Sequence, residues 1–278
     1  MNRLCLKLFL LFLALPLNAH AALPQASNVP GGVALVQLGA AVKNDQPPQA
    51  WLGEQPVLVV PDKGKWYAVV GLPLDMKTGS HALQVKQGET SKRYAFKVRH
   101  KKYPEQRITL KDKSKVELSP EDEARAIGEI ARIKQLKLHW QPSPDTDTAF
   151  IQPAQGRLSG HFGLRRIFNG QPRSPHAGID VAVPTGTEVV ASSPGKVLAV
   201  DDYFFNGKTV FLDHGNGLIT MYCHLDRIDV AADQAVIKGQ PIGLSGQTGR
   251  ATGPHLHWSV ILNGAMVNPK LFLPRGTE

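Results

Sequence analysis

The sequence predicts a mainly β protein: an N-terminal immunoglobulin-like β-sandwich, a linker with one helix, and a C-terminal antiparallel β-sheet or β-sandwich core. Two observations predict this class. Short apolar or alternating runs recur between Gly- and Pro-rich turns, and only one segment carries the signals of a helix start. We place the boundaries at 1–21 for a signal peptide, 22–100 for the N-terminal domain, 101–150 for the linker and 151–278 for the C-terminal domain.

The first residues have the pattern of a secretory signal peptide. Arg3 and Lys7 precede the apolar run "LFLLFLALPL", and "AHA" at 19–21 is a small-x-small cleavage site, so we expect cleavage before Ala22. The run is shorter than the ~20 residues of a membrane span. No cysteine directly follows the site, which argues against a lipid anchor. The pattern predicts an exported, soluble protein in the periplasm, with secretion to the medium as the alternative.

Charge and cysteine usage narrow the class of partner. The chain carries a formal charge of +9, which falls by two when Arg3 and Lys7 leave with the leader. A basic exported protein suits an anionic surface such as a cell wall, although many exported proteins are simply basic. Export makes nucleic acid a poor partner. Cys5 leaves with the leader, so Cys223 has no intramolecular partner and no internal disulfide is expected.

Residues 28–99 contain five strand-like runs separated by turns, including "PVLVV" and "WYAVVGL". A charged connector follows, and the helix is predicted at about 120–138. Ser119 is placed to cap it and Pro120 fits its first position. Glu121, Asp122 and Glu123 favour the N-terminal end of the helix dipole. From about Gln152 the chain is strand-like again.

Two histidines lie one residue apart in "GPHLHWSV". On a strand, His255, His257 and Ser259 share one face, while Leu256 and Trp258 share the apolar face. Residues two apart on a strand are roughly 6.6 Å apart, so both imidazoles can reach one small site. Two surface histidines on a half-buried strand would give the same pattern, so the spacing alone leaves both interpretations open.

The stretch "SPHAGIDVAVPTG" supplies His176 and Asp180. Its glycine, β-branched residues and proline favour a loop followed by a strand and argue against a helix. Together with His257 these side chains would give zinc three protein ligands and an open fourth position, the arrangement of a catalytic site. The spacing of His176 and Asp180 is by itself a weak signal.

The stretch "GLITMYCHLD" supplies His224. Strict alternation places Thr220, Tyr222 and His224 on one face and Cys223 on the apolar face, so Cys223 is interpreted as a core residue. His214 lies in "DHGNG" and is interpreted as a turn residue. The sequence offers no role for His161.

The stretch from Gly156 to Leu273 resembles the lysostaphin-type, or LytM, zinc metallopeptidases. The matching motifs are "SGHFGLR", "HAGIDVAVPTGTEVVASSPGKV", "LDHGNGLITMYCHL", "IKGQPIGLSGQTGRATGPHLHWSV" and "NPKLFL", in the family's order. Cys223 stands where the family usually has a small residue such as alanine. The N-terminal region is more loosely similar to the immunoglobulin-like domain that precedes some members.

The resemblance implies one Zn²⁺ per chain held by His176, Asp180 and His257, with His224 and His255 as the catalytic pair. It implies an endopeptidase that cuts peptide cross-links between peptidoglycan stem peptides. Two alternatives are a catalytically weak activator of other wall hydrolases and a peptidase of secreted glycine-rich proteins. We expect a monomer. The region 22–150 is expected either to modulate access to the metal or to tether the enzyme to the wall.

Overall fold

The computed structural model describes residues 23–42, 46–109, 118–172 and 174–276, and at Phe168 the backbone only. The predicted signal peptide and its cleavage site lie outside the described residues. Among the described residues, no helix has the length and apolar character needed to cross a membrane. The predicted mainly β class is confirmed by the three sheets of the structure.

The N-terminal sheet has six antiparallel strands in the order β1-β4-β3-β2-β5-β6. They are β1 (Val33–Ala40), β2 (Gln49–Leu52), β3 (Gln55–Asp62), β4 (Lys65–Gly71), β5 (Gly79–Gln87) and β6 (Thr90–Val98). The first part of β3 pairs with β2 and the rest pairs with β4. β3 therefore joins β1 and β4 to β2, β5 and β6 within the predicted N-terminal β domain. Alternating apolar residues enclose a core of its own that includes Trp66 and Phe96.

A buried contact joins the N-terminal sheet to the C-terminal half. The side-chain amide of Asn263 pairs with both backbone groups of Gly71, at 2.6 Å to its N–H and 3.1 Å to its carbonyl. Val33 and Leu58 of the N-terminal sheet belong to the same apolar cluster as the C-terminal strands. The two halves therefore share buried surface.

The linker contributes a strand and the predicted helix. β7 (Glu105–Ile108) pairs in parallel with β9 (Arg165–Phe168) of the C-terminal half. The helix α1 (Pro120–Lys137) confirms the prediction within one residue. The Ser119 hydroxyl accepts a hydrogen bond from the N–H of Asp122 at 3.1 Å, which satisfies one of the orphan donors of the first turn.

The C-terminal half is built on a ten-stranded sheet with the central order β16-β13-β14-β15-β18-β11-β8. Its strands, with the separate hairpin β9–β10, are β8 (Arg157–Gly160), β9 (Arg165–Phe168), β10 (Gln171–Pro172), β11 (Ile179–Ala182), β12 (Glu188–Val190), β13 (Gly195–Tyr203), β14 (Gly207–Asp213), β15 (Leu218–Ile228), β16 (Ala235–Val236), β17 (Pro241–Ser245), β18 (Leu256–Leu262) and β19 (Ala265–Val267). A short 3-10 helix (Pro269–Phe272) follows. One face of the sheet covers the main core, which includes Tyr222 and Trp258.

The opposite face of the sheet carries both the candidate site and a smaller apolar cluster. Cys223 and Phe211 belong to this cluster, and Ile133 and Leu136 of α1 pack against it. Cys223 is buried and free, which confirms its interpretation as a core residue. Burial raises the pKa of its thiol to about 12, so it is protonated and unreactive at neutral pH.

Candidate metal centre and flanking histidines

Strand register brings the predicted metal ligands together. Asp180 on β11 lies directly opposite His257 on β18, and Gly160 on β8 lies opposite Asp180 on its other side. Directly opposed residues project from the same face of a sheet, so the carboxylate and the imidazole meet. A Cβ at Gly160 would lie 2.1 Å from the carboxylate oxygen Oδ2 of Asp180. Only glycine leaves room for this carboxylate.

His176 reaches the same point from the loop before β11. Its backbone N–H donates to the carbonyl of Leu164 at 2.9 Å, and its own carbonyl accepts from Gly163 at 2.8 Å. Its Nε2 lies 3.0 Å from Oδ1 of Asp180 and 3.0 Å from Nδ1 of His257. The third side of this triangle, Nδ1 of His257 to Oδ1 of Asp180, is 2.9 Å.

Outer contacts fix which ring nitrogen of each histidine faces the triangle. Nδ1 of His176 lies 3.0 Å from the carbonyl oxygen of His161, so this nitrogen carries the proton and donates it. Nε2 of His257 lies 2.9 Å from the hydroxyl of Ser259. Nε2 of His176 and Nδ1 of His257 are therefore the ring nitrogens whose lone pairs face the triangle. His161 thus contributes its backbone carbonyl, which accepts the hydrogen bond from His176, while its side chain is exposed.

The protonation states agree with a cation site. Burial is the main cause that lowers the pKa of His257, so its ring is neutral. Burial alone would raise the pKa of Asp180, but contacts with His176 and His257 outweigh it and hold this pKa well below its usual range. Three lone-pair atoms within about 3 Å of one another repel unless a cation lies between them.

The donor set fits a tetrahedral metal ion. Two imidazoles and one carboxylate are ordinary zinc ligands, and ligands ~2.0–2.1 Å from such an ion lie ~3.3 Å apart. The observed separations of 2.9–3.0 Å are close to this value. These residues are the His/Asp group whose ligand atoms all lie within 4.8 Å of one another in the described part of the chain.

His224 and His255 lie beside the triangle, with their rings 4.7 Å apart. Nδ1 of His224 donates to the carbonyl of Thr248 at 2.9 Å, and Nδ1 of His255 donates to the carbonyl of Gly253 at 2.7 Å. Each neutral ring therefore presents an unprotonated Nε2. Nε2 of His255 lies 3.8 Å from Oδ1 of Asp180. Burial lowers the pKa of His224 to about 4.

A β-bulge places His224 on the metal side of the sheet. Between the pairs Tyr222–Val210 and Leu225–Lys208, β15 has two residues where β14 has one. His224 takes up the extra residue with a left-handed φ of 61°. Strict alternation predicts that Tyr222 and His224 share a face, and this is wrong: Tyr222 is buried in the main core on the other side.

Thr248 contacts the candidate site and was not singled out by the sequence reasoning. Besides accepting from His224, it donates its hydroxyl to the carbonyl of Leu225 at 2.7 Å and accepts from the N–H of Lys208 at 3.0 Å. It thereby ties the loop that holds His224 to the bulge. His214 does lie at the turn after β14, but its side chain is buried, with Nδ1 on the carbonyl of Pro194 and Nε2 on the hydroxyl of Thr220, both at 2.7 Å.

Comparison with known proteins agrees with this site. Residues 174–269 match Peptidase family M23, and residues 26–101 match the Peptidase family M23 N-terminal domain. The crystal structure of a proposed peptidase M23 from Pseudomonas aeruginosa is 41% identical, with 88% of this chain and 95% of that chain covered and a TM-score of 0.74. The chain belongs to peptidase family M23.

Curated relatives are similar over part of the chain. Peptidoglycan DD-endopeptidase ShyA of Vibrio cholerae is 45% identical over 113 residues, 40% of this chain and 26% of the relative. DD-carboxypeptidase/endopeptidase Mpg of Neisseria meningitidis is 41% identical over 113 residues, 41% of this chain and 26% of the relative. The chain thus matches about a quarter of the length of these relatives.

Proposed function

We propose that the protein is an exported zinc-dependent endopeptidase that hydrolyses the peptide cross-links of bacterial peptidoglycan. The convergence of three unprotonated ligand atoms from His176, Asp180 and His257 beside two further histidines carries the proposal. The curated relatives named as peptidoglycan DD-endopeptidases support the substrate class. The formal charge of +9, which falls by two when the leader is removed, stays basic and suits work against an anionic wall, and the leader pattern supports the periplasm as its place of action.

In this proposal His176, Asp180 and His257 hold Zn²⁺, which when bound polarises the scissile carbonyl and lowers the pKa of water. His255 takes a proton from the attacking water at Nε2. It then passes this proton to the leaving amine, so the amide C–N bond breaks and a carboxylate and an amine leave. The Asp180 carboxylate stabilises the imidazolium of His255 between the two transfers.

His224 is assigned to the oxyanion that develops on the scissile carbonyl. Because Nδ1 is already engaged by Thr248, Nε2 of His224 can donate to an oxyanion only when the ring carries both protons. Burial lowers the pKa of the His224 ring to about 4 in the free site, so the second proton is taken up from solvent only as the negative oxyanion develops beside Nε2. The carbonyl of Thr248 stabilises that doubly protonated form by accepting from Nδ1.

The proposal is tested with the purified mature protein and two substrates side by side: cross-linked muropeptide dimers with a direct D-alanyl bond to diaminopimelate, and a pentaglycine peptide. We expect mass spectrometry to show conversion of the dimers to monomers, loss of this activity with a chelator, and recovery with Zn²⁺. Cleavage of the glycine peptide alone would favour the alternative substrate class. Wall binding without cleavage of either substrate would favour the non-catalytic activator and contradict the enzyme.

A further inference from the structure

A groove of about 510 Å³ is lined by Pro175, the residue before the candidate ligand His176, and is not used by the mechanism above. Its walls come from three parts of the chain: Asp75 of the N-terminal half, Glu105 of the linker strand β7, and Arg165 and Arg166 of β9. Strand pairing builds this junction, because β7 aligns Glu105 with Arg165 in parallel register. The linker and the N-terminal half therefore complete a groove that the C-terminal half alone would leave open.

The groove reaches the metal ligands through two short connections. Pro175 lines it and directly precedes His176 in the chain. On the other wall, Arg165 follows Leu164, whose carbonyl accepts the N–H of His176 at 2.9 Å. An extended peptide advances ~3.3 Å per residue, so a substrate that is cut at the metal centre would enter the groove within a few residues of the cut bond.

Some charged side chains of the groove have an ion-pair partner and others have none among the described residues. Glu105 is engaged by Arg107 at 2.8 Å. Neither Arg165 nor Arg166 has an ion-pair partner among the residues that the structure describes, and the exposed Asp75 is the groove's remaining carboxylate. The lining is therefore left with an excess of positive charge. Each guanidinium group matches the planar geometry of a carboxylate, which it can bind through paired N–H donors.

We infer that this groove binds a carboxylate-bearing segment of the peptide substrate through Arg165 and Arg166. The inference rests on the proposed function and makes its substrate class narrower: an acidic peptide, not a neutral one such as polyglycine. It also gives the N-terminal half a part in recognition, because Asp75 stands in the same groove and favours a segment that carries an ammonium group beside its carboxylates.

The test measures binding separately from cleavage. Fluorescence anisotropy gives the Kd of a labelled stem peptide with free carboxylates and of the same peptide with its carboxylates amidated. We expect the unaltered protein to bind the acidic peptide about tenfold more tightly than the amidated one. The double variant Arg165→Gln/Arg166→Gln should lose this preference while its affinity for the amidated peptide stays within about twofold.

A matched control is Lys92→Gln/Arg93→Gln, which removes the same charge from two adjacent exposed residues of β6. It should keep the preference, and all three proteins should hold equal zinc. Equal binding of both peptides by the unaltered protein, or an unchanged preference in the Arg165→Gln/Arg166→Gln variant, would overturn the inference. If the unaltered protein prefers the acidic peptide but cleaves no muropeptide, the proposed enzymatic activity is contradicted while the groove's role in binding is supported.

Discussion

The hydroxyl oxygen of Ser259 lies 2.9 Å from Nε2 of His257, on the opposite side of the ring from Asp180. His257 and Ser259 are two residues apart on β18, so both side chains project from one face of the strand. By accepting the Nε2 proton, Ser259 leaves Nδ1 free to act as a ligand. Gly178 permits this contact, since a Cβ there would come within 2.5 Å of the Ser259 hydroxyl.

Ser259→Ala should therefore weaken metal binding by about 10–100-fold, because outer partners orient ligating histidines. Competition with a chelating dye of known zinc affinity measures the change. Ser193→Ala is the matched control: it removes a buried hydroxyl that donates to the carbonyl of Asp147, away from the metal ligands. Equal zinc affinity in both variants would show that Ser259 does not orient His257.

Thr248→Val should lower kcat at least tenfold while zinc content stays unchanged. The substitution keeps the shape of the side chain but removes the hydroxyl that holds the loop to Leu225 and Lys208, so the carbonyl that accepts from His224 shifts. Thr248→Ser keeps the hydroxyl and should restore most of the activity. A Thr248→Val enzyme with normal kcat would rule out this positioning role.

Gly160→Ala should reduce zinc affinity and activity together, because the new Cβ would overlap the Asp180 carboxylate, 2.6 Å from its Cγ. Gly128→Ala is a control of the same chemistry in α1, where nothing lies within 4 Å of the new Cβ. It should raise the free energy of unfolding by about 0.5–1 kcal/mol, since alanine is the better helix former. Zinc titration and urea unfolding of both variants measure the two effects. Full zinc affinity in Gly160→Ala would mean that Asp180 does not ligate.

The sequence predicted those features that are determined by residues close together in the chain. The helix α1 follows from its cap at Ser119 and Pro120. Alternation also predicts the common side of His257 on β18 and His255 just before it, where both rings approach Asp180. The same alternation failed at His224, where a bulge opposite β14 decides the direction of the side chain. The carbonyls of His161 and Thr248 carry no side-chain signal, so their contacts with His176 and His224 follow only from the folded chain.

His214 predicts an acid-dependent loss of stability. Burial lowers its pKa from 6.5 to about 4, so the unfolded chain binds a proton at a pH where the folded chain does not. Its contribution is present above pH 6.5 and is lost as the pH falls towards 4. Between pH 7.5 and 5 we expect the free energy of unfolding to fall by about 2 kcal/mol through this residue.

Urea unfolding at both pH values, in the presence of a chelator, measures this fall. His214→Gln removes the titrating ring and should reduce the pH dependence by about that amount, whereas His100→Gln, at an exposed position, should not change it. The same pH dependence in His214→Gln as in the unaltered protein would contradict the assignment.

The central claim is that two histidines one residue apart have different tasks: His257 on β18 holds the metal, and His255, just before β18, transfers the proton. The most direct measurement is the zinc content of purified His257→Ala and His255→Ala, determined by mass spectrometry beside their activity on muropeptide dimers. We expect His257→Ala to lose both zinc and activity, because catalytic zinc sites normally have three protein ligands. His255→Ala should keep stoichiometric zinc and lose about 10²–10⁴-fold in kcat. Stoichiometric zinc in His257→Ala, or zinc loss in His255→Ala, would contradict the account.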